Sequence, residues 1–355
     1  MSRGPVVVCG GGVIGAAVAF FLAERGFAVT LVERHGVAGA ASGKAGGFLA
    51  RDWCDATAMG PLARRSFALH EQLAERFPGR WNFRRLDTFA AAVSLRRGLE
   101  GHGRLDWLAP DAVLAQRLGD MATTAQVHPA AFTRGLLDEA PGVRLVEASV
   151  TGLDVAEGAL RAVLTDQGPL ACPTAVLALG PWTGLARSWI DLPPVGGLKG
   201  ASLVLAPERP LPAQAVFAEV ETAEGRIEAP ELFLRPDGTA YIAGLADDTP
   251  LPDDPAAVTP AADAEARLRA ILAPLSPLLA GAPALAVQAC YRPVTRDGLP
   301  LIGPVPGAAG AFVATGHGPW GILLAPATGE ALAACVAGDD PPVDLRPFMQ
   351  HLPRG

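Results

Sequence analysis

Residues 6–15 read VVVCGGGVIG, and no other stretch restricts the possible folds as strongly. Val6 to Cys9 are strand-forming and lead straight into Gly10, Gly11 and Gly12, with Gly15 following. Ile14 to Arg25 reads as a helix with an apolar inner face, and Ala28 to Glu33 (AVTLVE) as a second strand. The bare GxGxxG pattern is common by chance, but strand, helix and strand around it make a βαβ unit. In such a unit Gly10 permits the tight turn, Gly12 lets the backbone approach a pyrophosphate, and Gly15 lets helix and sheet pack closely. Glu33 ends the second strand about 20 residues past the glycines, where a carboxylate accepts hydrogen bonds from a ribose and disfavours a 2′-phosphate. Val13, Ile14 and Arg34 flank these positions and join them as dinucleotide-binding candidates.

The uncharged run from Pro5 to Ala23 also resembles a secretory signal, but Gly10 to Gly12 would break its apolar helix, and the same glycines oppose a membrane span. The expectation is a soluble cytoplasmic protein with no transmembrane segment. Five cysteines, at 9, 54, 172, 290 and 335, form no CxxC pair, which suits a reducing compartment and no metal site. A net charge of -7 leaves no electrostatic footprint for nucleic acid, and the cluster Arg80, Arg84, Arg85, Arg96, Arg97 and Arg104 reads as a solvated face and loop. Mean hydropathy is high at +0.28, yet the long uncharged runs are rich in Gly and Pro and read as buried turns.

The length of 355 residues suggests about two domains. Helices are expected over 56–77 and 129–139, with strands over 86–93, 143–148 and 175–179. From Gly196 to Cys290 the pattern changes to alternating strands (SLVLA, AVFAEV, ELFLRP, AYIAGL) with one helix over 261–273, the signature of a largely antiparallel sheet. Residues 245–260 read as a Pro-rich surface loop. A strand over 311–314 and a helix over 321–337 return to the style of the nucleotide domain.

Two stretches decide which nucleotide is bound. AASGKAGGFLA (residues 40–50) is nearly free of side chains, which suits backbone lying against a large flat ligand. GHGPWGILLAPATGEAL (residues 316–332) repeats the glycine pattern, but no strand or ribose-binding acid follows, so a second dinucleotide site is excluded. What remains is a helix N-terminus with N–H groups directed at something electron-rich, such as the N1/C2=O edge of an isoalloxazine.

In order along the chain, VVVCGGGVIGAAVAFFLAERG, ASGKAGGFLA, VLALGPWT, YRPVTRDGLPLIG and GHGPWGILLAPATG resemble the D-amino-acid oxidase superfamily of flavoproteins, with glycine oxidase and monomeric sarcosine oxidase as relatives. The resemblance implies a Rossmann-type α/β FAD-binding domain assembled from residues 1–80, 125–195 and 290–355. An interleaved α+β substrate domain on a mixed, largely antiparallel sheet would comprise residues 81–124 and 196–289. It implies non-covalent FAD, held by Gly10, Gly12, Gly15 and Glu33 at the ADP half and by Ala41, Ser42, Lys44, Ala45, Gly46 and Gly47 along the pyrophosphate and flavin. Val150 would meet the adenine, Gly180 and Trp182 would line the cofactor, and Gly316, His317, Gly318, Trp320, Gly321 and Ile322 would surround the flavin pyrimidine.

Arg292 falls where amino-acid oxidases of this superfamily grip the substrate carboxylate, and a planar guanidinium suits that task. The alternative is a structural ion pair with Glu219 or Glu231. Phe48, Ala50, Phe233 and Trp320 are candidates for the substrate pocket, although core packing explains Phe233 almost as well. Cys290 falls where the sarcosine oxidase branch attaches its flavin; the favoured reading is a small buried thiol without that bond. His317 reads chiefly as a residue holding its loop. Pro319 stands where glycine oxidases have a second basic residue, which leaves the substrate open.

The implied reaction is hydride transfer from the C–H beside nitrogen of an amino acid or amine to flavin N5, imine hydrolysis, and reoxidation by O2 giving H2O2. A dehydrogenase passing electrons to a quinone or an electron-transfer protein, and an FAD-fold scaffold with little turnover, are the alternatives.

Overall fold

The computed structural model describes residues 3–101, 103–350 and 352. A six-stranded sheet carries the glycine motif, in the order Leu301–Pro304, Ala311–Thr315, Thr174–Leu177, Arg3–Cys9, Phe27–Glu33, Arg144–Glu147. All neighbours are parallel except Leu301–Pro304. Val6 to Cys9 are buried on both faces, as a central parallel strand requires.

Helix Val13–Glu24 follows the glycines and packs against Gly321–Ala337. Their approach depends on Gly329, where a Cβ would lie 2.6 Å from the Ala17 carbonyl carbon. The stretch Gly318–Ala337 is long and apolar enough to cross a membrane, but most of it is buried in the protein, so its apolar surface belongs to the core. Pro326 lies inside this helix and can neither donate a hydrogen bond nor let the preceding turn close normally. Helix Gly60–Arg76 repairs both defects from neighbouring turns. Ser66 Oγ accepts from Ala327 N at 3.0 Å, and His70 Nε2 donates to the Ile322 carbonyl at 2.9 Å. Burial pushes His70 down to about 4, so the ring is neutral at physiological pH.

The second layer is an eight-stranded mixed sheet in the order Ala284–Val294, Gly196–Leu205, Ala240–Asp247, Glu231–Leu234, Gln214–Glu221, Asp87–Ser94, Val113–Gly119, with Ile227–Glu228 paired beside Gln214–Glu221. Only Asp87–Ser94 and Gln214–Glu221 run parallel. The period of two along a strand gives this sheet two different faces. One buries Leu203, Leu205, Val216, Leu232 and Ile242 against helix Ala264–Leu275. The other presents Phe233, Tyr241 and Ala243 to the nucleotide layer.

Several expectations need correction. A domain boundary at residue 290 cuts through strand Ala284–Val294, which pairs along its length with Gly196–Leu205. Residues 150–171 form an unanticipated three-stranded meander whose first hairpin turns at Glu157 and Gly158, with φ of 54° and 76°, the conformation a two-residue turn demands. The arginine cluster is not one solvated face. Arg80 pairs with Glu139, Arg85 with Glu71, and Arg96 and Arg97 with Glu221, while Arg84 donates to the Leu234 carbonyl. Residues 245–260 are more than a surface loop. Tyr291 Oη donates to the Pro250 carbonyl at 2.8 Å, Trp182 Nε1 to Pro252 at 2.7 Å and Arg34 to Asp253 at 2.8 Å, which tie the segment across both layers.

Candidate active site

The two layers enclose one continuous cavity of about 410 Å³. Its nucleotide side is made of backbone. Gly10 has φ of 113°, and a Cβ there would lie 2.4 Å from the Ala178 carbonyl oxygen. Gly15 is not in the wall; its added Cβ would lie 1.9 Å from the Gly10 oxygen, so it serves the packing of turn on helix. Gly12 differs from both. A Cβ on it would meet only Ser42 Oγ, at 3.3 Å, so little in the protein itself demands glycine there. A ligand lying against that backbone does demand it, and the site fits a dinucleotide pyrophosphate.

Val13 N donates to Ser42 Oγ at 2.8 Å, and the two Glu33 oxygens accept from Gly11 N and His35 N, both at 2.6 Å. A carboxylate held this firmly still has lone pairs for a ribose. Ile14, Arg34 and Val150 line the same side, and Arg34 lies over the Trp182 ring at 5.5 Å. Gly180 also lines the wall, with φ of 56° and its carbonyl fixed by the hydroxyls of Thr183 and Thr315.

From the segment after the second strand, Ala41, Ser42, Ala45, Gly46, Gly47 and Phe48 reach the cavity. Lys44 does not, although its charge is felt at Cys290. Gly46 is required because a Cβ would lie 2.3 Å from the Phe233 ring. Arg235 pins this segment by donating to the Ala45 carbonyl at 2.8 Å while lying over Tyr241. Ala50 is a correction. It is fully buried, pairs with Thr124, and lies in the small sheet leading away from the wall.

On the opposite side, His317, Gly318, Trp320, Gly321 and Ile322 line the cavity together with exposed Pro319. Gly316 does not line it; with φ of 75° it serves the turn. His317 is 2% exposed, its Nε2 bonds Thr328 Oγ1 at 3.2 Å, and burial pushes it down to about 3. A neutral, buried ring of this kind holds the loop. The helix N-terminus behind it directs positive potential toward the cavity.

The remaining wall is the inner face of the eight-stranded sheet, where side chains replace backbone. Phe217, Phe233 and Tyr241 of this sheet join Phe48, Trp53 and Trp320 from outside it in an aromatic lining, with Phe48 stacked on Phe233 at 5.4 Å and Trp53 against Phe217 at 4.9 Å. Arg292 and Cys290 stand on alternate positions of one strand and share this face. Neither ion pair considered for Arg292 forms. Glu219 is exposed rather than in the cavity wall, and Glu231 shares the cavity without a hydrogen bond or ion pair to Arg292. Burial pushes the Cys290 thiol up, with Arg292 and Lys44 opposing. Trp53, Phe217 and Tyr241 escaped the sequence reading, and Glu231 entered it only as a possible ion-pair partner of Arg292. Glu231 had a usable signal, because alternation along ELFL places it on the face of Phe233.

A glycine-rich βαβ unit opening into an aromatic chamber with a half-buried arginine has the layout of a nucleotide-dependent oxidoreductase. The chain belongs to the DAO family, FAD dependent oxidoreductases, whose model matches residues 5–335. An oxidoreductase of Schizosaccharomyces pombe is 30% identical over 363 residues, covering 93% of each chain. Glycine oxidase of Pseudomonas putida is 29% identical over 369 residues, covering 97% of each. The crystal structure of glycine oxidase from Geobacillus kaustophilus matches with a TM-score of 0.83 at 26% identity, over 99% of this chain and 100% of that one. The protein is thus an FAD-dependent oxidoreductase.

Proposed function

We propose that the protein oxidises the C–N bond of an amino acid or related carboxylate-bearing amine, with Arg292 holding the carboxylate. The observation that carries this reading is the position of Arg292, in the wall of the cavity that also contains the glycine cradle, with no hydrogen bond or ion pair among the described residues. A cavity-facing guanidinium with its donors free is suited to a carboxylate, which it binds through two parallel bonds. FAD, when bound, supplies the two-electron acceptor. The residues suited to hold it are Gly10, Gly12, Val13, Ile14, Glu33, Ser42, Gly46, Val150, Gly180 and the 317–322 turn.

The aromatic lining would exclude water and keep the substrate beside the cofactor. The segment 250–253 would close the cavity above Trp182 and Arg34. No proton-transferring histidine is assigned, since His317 is buried, neutral and engaged with Thr328. The kinship with glycine oxidases supports O2 as electron acceptor, with H2O2 as product. Oxygen uptake equal to substrate consumed is the expected result; turnover only with a quinone or an electron-transfer protein would make the protein a dehydrogenase. Burial of the Cys290 thiol in its protonated form supports non-covalent FAD.

Arg292→Ala tests the reading. Removing one partner of a buried charge pair costs about 2 to 5 kcal/mol, so kcat/KM for a carboxylate substrate should fall roughly 30-fold to 5000-fold. Arg292→Lys should restore part of the loss, because an ammonium offers a point charge instead of a fork. The matched amine lacking its carboxylate should lose little. Equal losses on both substrates, with FAD retained, would make Arg292 a structural residue.

A further inference from the structure

The Glu231 carboxylate is largely buried, lines the cavity, and has no hydrogen bond or ion pair among the described residues. A buried carboxylate left without a partner is costly, and its position indicates where a partner would go. In the sheet register Glu231 stands opposite Phe217 on one side and Ala243 on the other. Phe233 lies two residues further along the same face, with its ring 5.6 Å from that of Phe217. Glu231 therefore shares its part of the wall with two aromatic rings. Carboxylate charge and ring quadrupoles both attract a cation and repel an anion. Among the described residues no cation pairs with it. Arg292 acts on Glu231 through space without forming an ion pair, and Arg235 is engaged with the Ala45 carbonyl and the Tyr241 ring.

We propose that Glu231 receives the substrate's ammonium group, so that the pocket selects zwitterionic amino acids, carboxylate on Arg292 and cationic nitrogen at Glu231. The inference rests on the reading of Arg292 as carboxylate anchor. Burial raises the Glu231 carboxyl above its usual range, and Arg292, acting through space without an ion pair, only opposes the rise. Two opposite charges in one chamber also define what it rejects. An amine without a carboxylate leaves Arg292 unpaired, and a substrate carboxylate placed at Glu231 is repelled.

The test uses FAD-loaded protein and two ligands that differ only in the ammonium group, 2-aminoisobutyrate and isobutyrate. The amino acid has no hydrogen on its α-carbon and cannot be oxidised there. Dissociation constants are read from the flavin absorbance change. Wild type should bind 2-aminoisobutyrate at least ~10-fold more tightly than isobutyrate, in line with the energy of buried charge pairing. Glu231→Gln should erase that preference by weakening the amino acid and tightening isobutyrate, an improvement that a merely structural role would not produce. Arg292→Ala should weaken both. An unchanged preference in Glu231→Gln, with both ligands weakened by Arg292→Ala, would overturn the Glu231 inference and leave the anchor standing. No effect of Arg292→Ala on either ligand, or no binding of either by wild type, would overturn the anchor and this inference with it.

Discussion

The two sides of the cavity recognise their ligands by different means. At the nucleotide side the contacts come mostly from backbone and one helix N-terminus, in short segments at 10–14, 33–34, 41–48 and 317–322, each of which carries its geometry locally in sequence. At the substrate side they come from side chains, and those of Phe217, Glu231, Tyr241 and Arg292 reach one face only after the eight-stranded sheet has formed. Phe48 and Trp53, Phe217, Glu231, Tyr241 and Arg292 are scattered over most of the chain. Backbone recognition is local and tolerates few substitutions, whereas side-chain recognition is assembled from distant positions and can be retuned one residue at a time.

The largest effect that would sharpen this contrast is at Gly12. A bulky residue there should abolish FAD binding while leaving the apoprotein folded, because its Cβ approaches only Ser42 Oγ, at 3.3 Å. Gly15→Ala should instead destabilise the fold itself, since its Cβ would lie 1.9 Å from the Gly10 oxygen. Flavin absorbance and apoprotein thermal unfolding, measured on both variants, separate the two outcomes. Loss of FAD without loss of stability in Gly15→Ala would break the distinction.

A smaller effect concerns the helix that carries the 317–322 turn. Ser66→Ala leaves the Ala327 N–H buried without an acceptor, at a cost of about 1 to 3 kcal/mol in unfolding free energy. Denaturant unfolding should show this loss with the substrate specificity unchanged. An unchanged midpoint would mean that the helix does not depend on Gly60–Arg76 for repair at Pro326.

The same helix gives a pH dependence with a definite sign. His70 and His317 are held near 4 and 3, below the 6.5 of an exposed histidine. As pH falls below 6.5 the unfolded chain takes up protons that the folded chain refuses, so stability should decline from pH 6.5 toward 4, by on the order of 2 kcal/mol per histidine at pH 5. Above about pH 8 these two groups should contribute almost no slope. His70→Gln should remove about half of the acid-side loss; a slope identical to wild type would refute the assignment.

The smallest effect is at Cys290, which marks the border between the two sides. Acid precipitation should release all the yellow colour, and Cys290→Ala should bind FAD as wild type does. Colour retained in the wild-type pellet and released by Cys290→Ala would establish a thioether.

The contrast also explains what could be read from the sequence. VVVCGGGVIG, Glu33 and residues 40–50 carry their geometry in the chain itself, through positive φ, strand length and the missing Cβ. The alternating runs from Gly196 onward gave the antiparallel sheet, and Arg292 was found through a motif. Strand order and register were not legible, and they are what bring Glu231 beside Phe217 and set Arg235 against Ala45. Ala50 was misplaced for the same reason, because period two gives it the side of Phe48 and only the pairing with Thr124 shows the strand leaving the cavity. Pro326 was visible, but its repair by Ser66 and His70 depends on a helix more than 250 residues earlier in the chain.

The central claim is that one cavity holds FAD against a carboxylate-bearing amine anchored by Arg292. Anaerobic mixing of the FAD-loaded protein with a panel of D- and L-amino acids, N-alkyl amino acids and simple amines tests it directly, with flavin absorbance as readout. Bleaching by one or more of the amino acids, slower by roughly 30-fold or more in Arg292→Ala and absent with the matched amines, is the predicted result. A flavin that stays oxidised across the whole panel, or that bleaches equally with and without a substrate carboxylate, would contradict it.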